Sequence, residues 1–115
     1  MKVQLLISAM FAEPKELVNK MNVSSEAVLI NQCDVNGFEN FWVQDADGID
    51  REIKAYSFKE RGVGLSRNNA LLRADKEISL FSDDDIIYVD DYEKRIASEF
   101  EKHKEADVLL FNVEV

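Results

Sequence analysis

The chain has 115 residues, 46% of them hydrophobic, and a formal net charge of −9 from 14 basic and 23 acidic side chains. That is one domain with a real core, and the apolar content excludes a disordered chain. A surface this acidic excludes general affinity for nucleic-acid backbones or anionic membranes, so an anionic ligand would need a bridging cation or a local basic pocket. A single cysteine, Cys33, excludes an internal disulfide. The single histidine, His103, and the lack of zinc-type spacing exclude a His-rich metal site.

Val3 to Met10 is an apolar run broken by Gln4 and Ser8, too short to cross a membrane and without a cleavage-site pattern; it reads as a strand. A cytoplasmic protein without a transmembrane segment is expected. Pro14 suits the first turn of a helix whose apolar face is Leu17, Val18 and Met21. Ala27-Val28-Leu29-Ile30 is nearly continuous in apolar character, as in a strand buried on both faces, and Asn31-Gln32-Cys33-Asp34 ends it with polar groups. Phe41–Gln44 and Arg51–Phe58 are two further strands, joined through Asp45-Ala46-Asp47-Gly48. Those acids lack the spacing and terminal glutamate of a calcium loop, so this is a turn.

Gly62-Val63-Gly64 leads into a helix over about residues 66–75, with Ala70, Leu71 and Ala74 available for packing. Ile78–Phe81 is a strand, followed at once by Asp83-Asp84-Asp85. Asp90-Asp91 open a helix in which Tyr92, Ile96 and Phe100 recur every four residues, and Lys102, His103 and Lys104 complement its C-terminal dipole. Val108–Val115 is a last strand. Alternating strands and helices predict an α/β fold with a mostly parallel twisted sheet flanked by helices.

Two stretches carry chemistry. Carboxylates at the carboxyl end of a buried strand sit where open α/β sheets bind ligands. Three together repel one another, and such hard oxygen donors suit Mg²⁺ or Mn²⁺, above all when a diphosphate completes the shell. An acidic surface loop is the plain alternative. The glycines before the second helix let the backbone turn sharply, and Arg67 on its first turn could reach the sheet's carboxyl edge. Neither a full dinucleotide fingerprint nor a Walker lysine is present, and by itself this stretch reads as a structural helix start.

Together, Glu60-Arg61-Gly62-Val63-Gly64-Leu65-Ser66-Arg67-Asn68-Asn69-Ala70 and Ile78-Ser79-Leu80-Phe81-Ser82-Asp83-Asp84-Asp85-Ile86-Ile87-Tyr88-Val89-Asp90 resemble the family-2 glycosyltransferases of GT-A fold. In that family a glycine-serine-x-arginine-asparagine helix start precedes a strand ending in an Asp-x-Asp motif, with an aromatic residue and an aspartate soon after. The resemblance runs from Val3 to the end and is strongest from Glu60 to Asp91. It implies a domain that takes a sugar from a nucleoside-diphosphate sugar, a UDP-sugar, for transfer to a glycan, lipid or protein acceptor. By position, Asp85 is implied to coordinate Mn²⁺ or Mg²⁺ bridging the diphosphate. Asp83 is implied to contact the ribose or the metal's water shell, with Asp84 between them. Arg67 is implied to approach the base, and Ser8-Ala9-Met10-Phe11 to floor the nucleoside pocket.

Two positions depart from the family pattern. Ser8-Ala9-Met10-Phe11 replaces its Pro-Thr-Tyr-Asn, and Asn31-Gln32-Cys33-Asp34 replaces its Asp-Asp-Gly-Ser. Gln32 thus stands where an aspartate reads the base; an amide can still read a pyrimidine, or Asp34 could substitute. Cys33 reads as a small buried side chain rather than a nucleophile, with no partner base near it in sequence.

Family members continue past the equivalent of Val115 into an acceptor half that carries the general base. The chain is therefore expected to be a truncated donor-binding portion that binds without turning over, the full-length enzyme working at the inner membrane surface. The neighbour that normally lies beside the aspartate-bearing strand is missing, so either Val108–Val115 moves into its slot or an apolar edge at Val108-Leu109-Leu110-Phe111 stays open, and a homodimer covering that region is expected. A receiver domain would need paired acids after the first strand, and a haloacid-dehalogenase phosphatase would place its Asp-x-Asp on the first strand; neither fits. A non-enzymatic α/β nucleotide-binding or interaction domain is the serious rival.

Overall fold

The computed structural model describes residues 2–103; the strand expected over Val108–Val115, and the edge it would leave open, lie outside them. In chain order the elements are β1 (Val3–Met10), α1 (Pro14–Lys20), β2 (Glu26–Gln32), β3 (Gly37–Gln44), β4 (Asp50–Phe58), α2 (Val63–Leu72), β5 (Ile78–Asp83) and α3 (Tyr92–Lys102). The strands form one sheet in the order β3-β4-β2-β1-β5.

β1 lies parallel to both β2 and β5, and β2 parallel to β4, but β3 and β4 are antiparallel. The sheet is therefore mixed rather than mostly parallel, which corrects the expectation above. The reason is local. Gly48, at φ 76°, closes a turn in which the Gly48 N–H donates to the Asp45 carbonyl, and Asp45 Oδ1 accepts from the N–H groups of Asp47 and Ile49. A connection this short can join only antiparallel neighbours.

Two cores hold the layers. On one face Leu5, Ile7, Leu29 and Ile53 pack with Val18 and Met21 at α1 and with Tyr92 and Ile96 of α3. On the other, Leu6, Val28 and Ile30 pack under Ala70 of α2. Coverage on both faces explains the continuous apolar runs of β1 and β2. The four-residue spacing on α3 buries Tyr92 and Ile96 as expected, whereas Leu71 of α2 points to solvent. That helix runs over Val63–Leu72, starting earlier than its weak apolar pattern indicates.

At the amino edge of the sheet, Arg51 gathers three carboxylates. Its Nε donates to Glu26 at 2.9 Å, and its Nη1 donates to Glu93 at 2.7 Å and to Asp45 at 3.1 Å. One buried guanidinium thus joins β4, β2, the hairpin turn and α3. Burial would push the Glu26 carboxyl up, but the hydrogen bonds and charge of Arg51 outweigh it and hold the group below the ordinary value. Asp45 is also held low, first by the Ile49 N–H and then by Asp47 and Arg51. Of α3, Tyr92 donates or accepts at Ser25 and accepts from the Ser24 N–H, while burial pushes its phenol up.

Arg51→Ala strands these carboxylates and is expected to destabilise the domain by about 3–5 kcal/mol in urea denaturation at neutral pH. Because the folded-state values of Glu26 and Asp45 are depressed, their contribution is present above the unfolded carboxylate values and disappears as pH falls through the lower folded ones. The parent should therefore lose stability in that acid range, and the gap between parent and variant should narrow with it.

Candidate functional site

The carboxyl edge of the sheet gathers the ends of β1, β2, β4 and β5 and the start of α2. Strand order supplies the geometry: from β1 the chain moves to β2 on one side, and after α2 it returns as β5 on the other. In open α/β sheets, ligands bind in a crevice at such a reversal. Ser8 and Asp83 are direct neighbours in the β1–β5 register. Val3 and Ile78, paired at the other end of the same register, both face the α1–α3 core, so the alternation along each strand turns Ser8 and Asp83 toward α2. Ser66 of α2 is buried, and its Oγ donates to Ser8 Oγ at 2.8 Å, which fixes the helix start over the end of β1.

Gln32 serves as a clamp. Its Nε2 donates to the Gly62 carbonyl at 2.8 Å, and its Oε1 accepts from the Gly62 N–H at 3.3 Å. The side chain placed by position at the base is thus engaged with backbone. Gly62 has φ 125° and ψ 137°, a conformation that only glycine adopts freely, and it is the N-cap of α2 without a side-chain cap. The first turn of α2 contains no acidic residue. Neither a side-chain cap nor a first-turn acid offsets the positive dipole end of this helix.

Arg61 builds the adjoining wall. Its Nη1 donates to the carbonyls of Cys33 at 2.7 Å and Lys59 at 2.8 Å, its Nη2 reaches Asp34 at 3.3 Å, and its guanidinium lies 5.1 Å from the centre of the Phe11 ring. Phe11 is largely exposed and holds φ 49°, and its N–H donates to the Gln32 carbonyl. A depression of about 400 Å³ lined by Phe11, Pro14, Asn31, Glu39, Ala55 and Ser57 lies on the α1 face of the sheet and includes neither Ser8, Asp83 nor α2. Cys33 is buried, its Sγ against the Val35 carbonyl, as expected of a small core side chain. A depression of about 550 Å³ between α1 and β3 lies away from these residues.

The edge thus brings together Ser8, Ala9, Phe11, Gln32, Asp34 and Asp83. Ala9 is buried in the core, so only its backbone faces the edge. Asp84 and Asp85 occupy an exposed turn immediately after β5, and Arg67 is exposed beside Ser66. Among the described residues no group of three His, Cys, Asp or Glu side chains converges as a metal cage. The aromatic and acid after the triad are structural: the Tyr88 N–H donates to the Met21 carbonyl, Tyr88 Oη donates to Ser82, and Asn22 Nδ2 donates to the Tyr88 carbonyl and to Asp90. Sequence reasoning missed Arg61 and the Gln32–Gly62 clamp. A buried amide at a strand end was the available signal, but its partner is backbone 30 residues away.

No family model, curated protein or solved structure matches the chain. No helix of the described residues is long and apolar enough to cross a membrane.

Replacing Gly62 by alanine tests the clamp. An added Cβ would find only ordinary contact, 3.9 Å from Leu65 Cδ1, so the penalty is conformational. Thermal denaturation should show a loss of about 1–3 kcal/mol.

Proposed function

We propose that this domain binds the donor of a glycosyl transfer, a nucleoside-diphosphate sugar such as a UDP-sugar, together with Mn²⁺ or Mg²⁺. The observation that carries the reading is the pairing of Asp83 with Ser8 on the α2 face of the sheet, beside a helix start that lacks both cap and acid. A diphosphate at that crevice would meet the N–H groups of α2 on one side and the Asp83–Asp85 carboxylates on the other. Those carboxylates would repel it without a cation. The donor set fits Mg²⁺ or Mn²⁺, which use one or two carboxylates and complete their shell with phosphate oxygens and water, so a three-ligand protein cage is not required. Bound there, the cation would stabilise the departing nucleoside diphosphate.

In this reading Asp85 and Asp83 hold the cation or its water shell, Asp84 shapes the turn, and Arg67 offers a planar donor fork to base or phosphate. Phe11 and Arg61 wall the nucleoside side, with Asp34 held against Arg61. A non-enzymatic nucleotide-binding or interaction domain is the second reading, favoured by the engagement of Gln32 with Gly62 rather than with a ligand.

Thermal denaturation with UDP and Mn²⁺ separates the two. Together they should stabilise the protein more than the sum of each alone; a ligand at a hundredfold excess over its Kd contributes about 2.7 kcal/mol in all. Asp85→Asn should abolish that synergy and leave the melting temperature of the unliganded protein unchanged. Equal stabilisation of parent and variant would remove the metal assignment, and a response to UDP without metal would favour the second reading.

Arg67→Ala should weaken UDP binding about tenfold by calorimetry with Mn²⁺ affinity unchanged. Unaltered UDP affinity would make Arg67 an ordinary surface residue of α2.

A further inference from the structure

β3 ends the sheet, with β4 on one side and no strand of the described residues on the other. Its hydrogen bonds decide which backbone groups face the open side. The Asp45 N–H donates to the Ile49 carbonyl, so the odd-numbered residues of β3 bond to β4. The Phe58 carbonyl, which accepts from the Cys33 N–H on the far side of β4, agrees with that phase. The N–H and C=O groups of Phe38, Asn40, Trp42 and Gln44 therefore point outward. This edge lacks the usual protection: Gly37 to Gln44 run in unbroken register without proline, lysine or bulge, and Glu39 is the one charge.

We propose that β3 pairs antiparallel with β3 of a second copy about a two-fold axis at Asn40, joining two five-stranded sheets into one. This register satisfies the outward groups of Phe38, Asn40 and Trp42 in both copies. It sets Phe38 opposite Trp42 of the second copy; these side chains are 57% and 56% exposed. The pair extends the contact of Phe38 with Tyr56, whose ring centres are 4.8 Å apart. Cross-strand aromatic pairs of this kind are the stabilising unit of a sheet.

Charge selects a second copy as the occupant. On the opposite face Glu39 comes to lie across from Phe41 of the other copy. Lys15 Nζ sits 5.8 Å from the centre of the Phe41 ring and 3.5 Å from Glu39 in its own chain. Two-fold symmetry therefore brings the Lys15 of each copy to the Glu39 of the other, twice per dimer. Shifting the axis to Phe41 would instead place the two Lys15 cations together and separate Phe38 from Trp42. The net charge of −9 opposes association, but salt screens it beyond about 8 Å at physiological ionic strength. This surface is built from described residues alone and is independent of any nucleotide.

Sedimentation velocity across a concentration series at moderate salt reads the outcome. The parent should dimerise. Glu39→Lys should raise the dimer dissociation constant at least about tenfold, and the double variant Lys15→Glu/Glu39→Lys should restore it. Far-UV circular dichroism checks that each variant is folded. Asn40→Cys should cross-link across the axis under mild oxidation, since opposed residues of a hydrogen-bonded pair lie about 5.5 Å apart, whereas Phe41→Cys should not. A monomer at every concentration, failure of the double variant to recover, or cross-linking at position 41 instead of 40 would overturn the proposal.

Discussion

The arrangement depends on one buried guanidinium. Among the described residues, Arg51 alone touches the hairpin turn, the start of β2 and the first turn of α3 together. A buried arginine of this kind is tolerable because its donors are matched by carboxylates, and the carboxylates are tolerable because it is there. Glu93 has a second duty, accepting the Val3 N–H at the start of β1. The charged cluster therefore closes the amino edge and fixes where α3 begins. The polar contacts of Ser8 with Ser66 and of Gln32 with Gly62 lie at the opposite edge.

That division gives each face of the sheet its task. α1 and α3 seal one face with aliphatic and aromatic side chains, while α2 touches the other mainly through Ser66 and Ala70. Small residues let α2 sit close, and its start is set by polar contacts, Ser66 to Ser8 and Gly62 to Gln32. A helix held by such contacts places its first-turn N–H groups reproducibly, which is what preorganised anion recognition requires. Leu65, Leu71 and Leu72, by contrast, are exposed.

Much of the fold was legible because burial on both faces leaves a plain mark. β1 and β2 read as largely apolar runs, and the Asp45–Gly48 turn carried its own chemistry. The same turn should have argued against a mostly parallel sheet. The beginning of β3, Gly37 to Asn40, was missed because an exposed edge strand can mix aromatic and polar residues without an alternating core face. The start of α2 was misplaced because a helix in which Ala70 is the one buried apolar side chain among its described residues has little periodicity to read. Arg51 was invisible as an organiser, since its carboxylates lie 6, 25 and 42 residues away. At the candidate site, Ser8, Gln32 and Asp83 lie toward the carboxyl ends of β1, β2 and β5, but the sequence could not show that Gln32 is already bonded to backbone.

The tether formed by Asn22 and Tyr88 has an entropic consequence. β5 holds the chain through Asp83, and the Tyr88 N–H bond to Met21 holds it again five residues later, with Asn22 gripping the following carbonyl and Asp90. Asp84 and Asp85 thus lie in a short span anchored at both ends. Such a span explores far fewer conformations than a free loop, because its ends are already brought together. Folding has therefore already ordered this span, so little of that ordering remains to be done by any later event there.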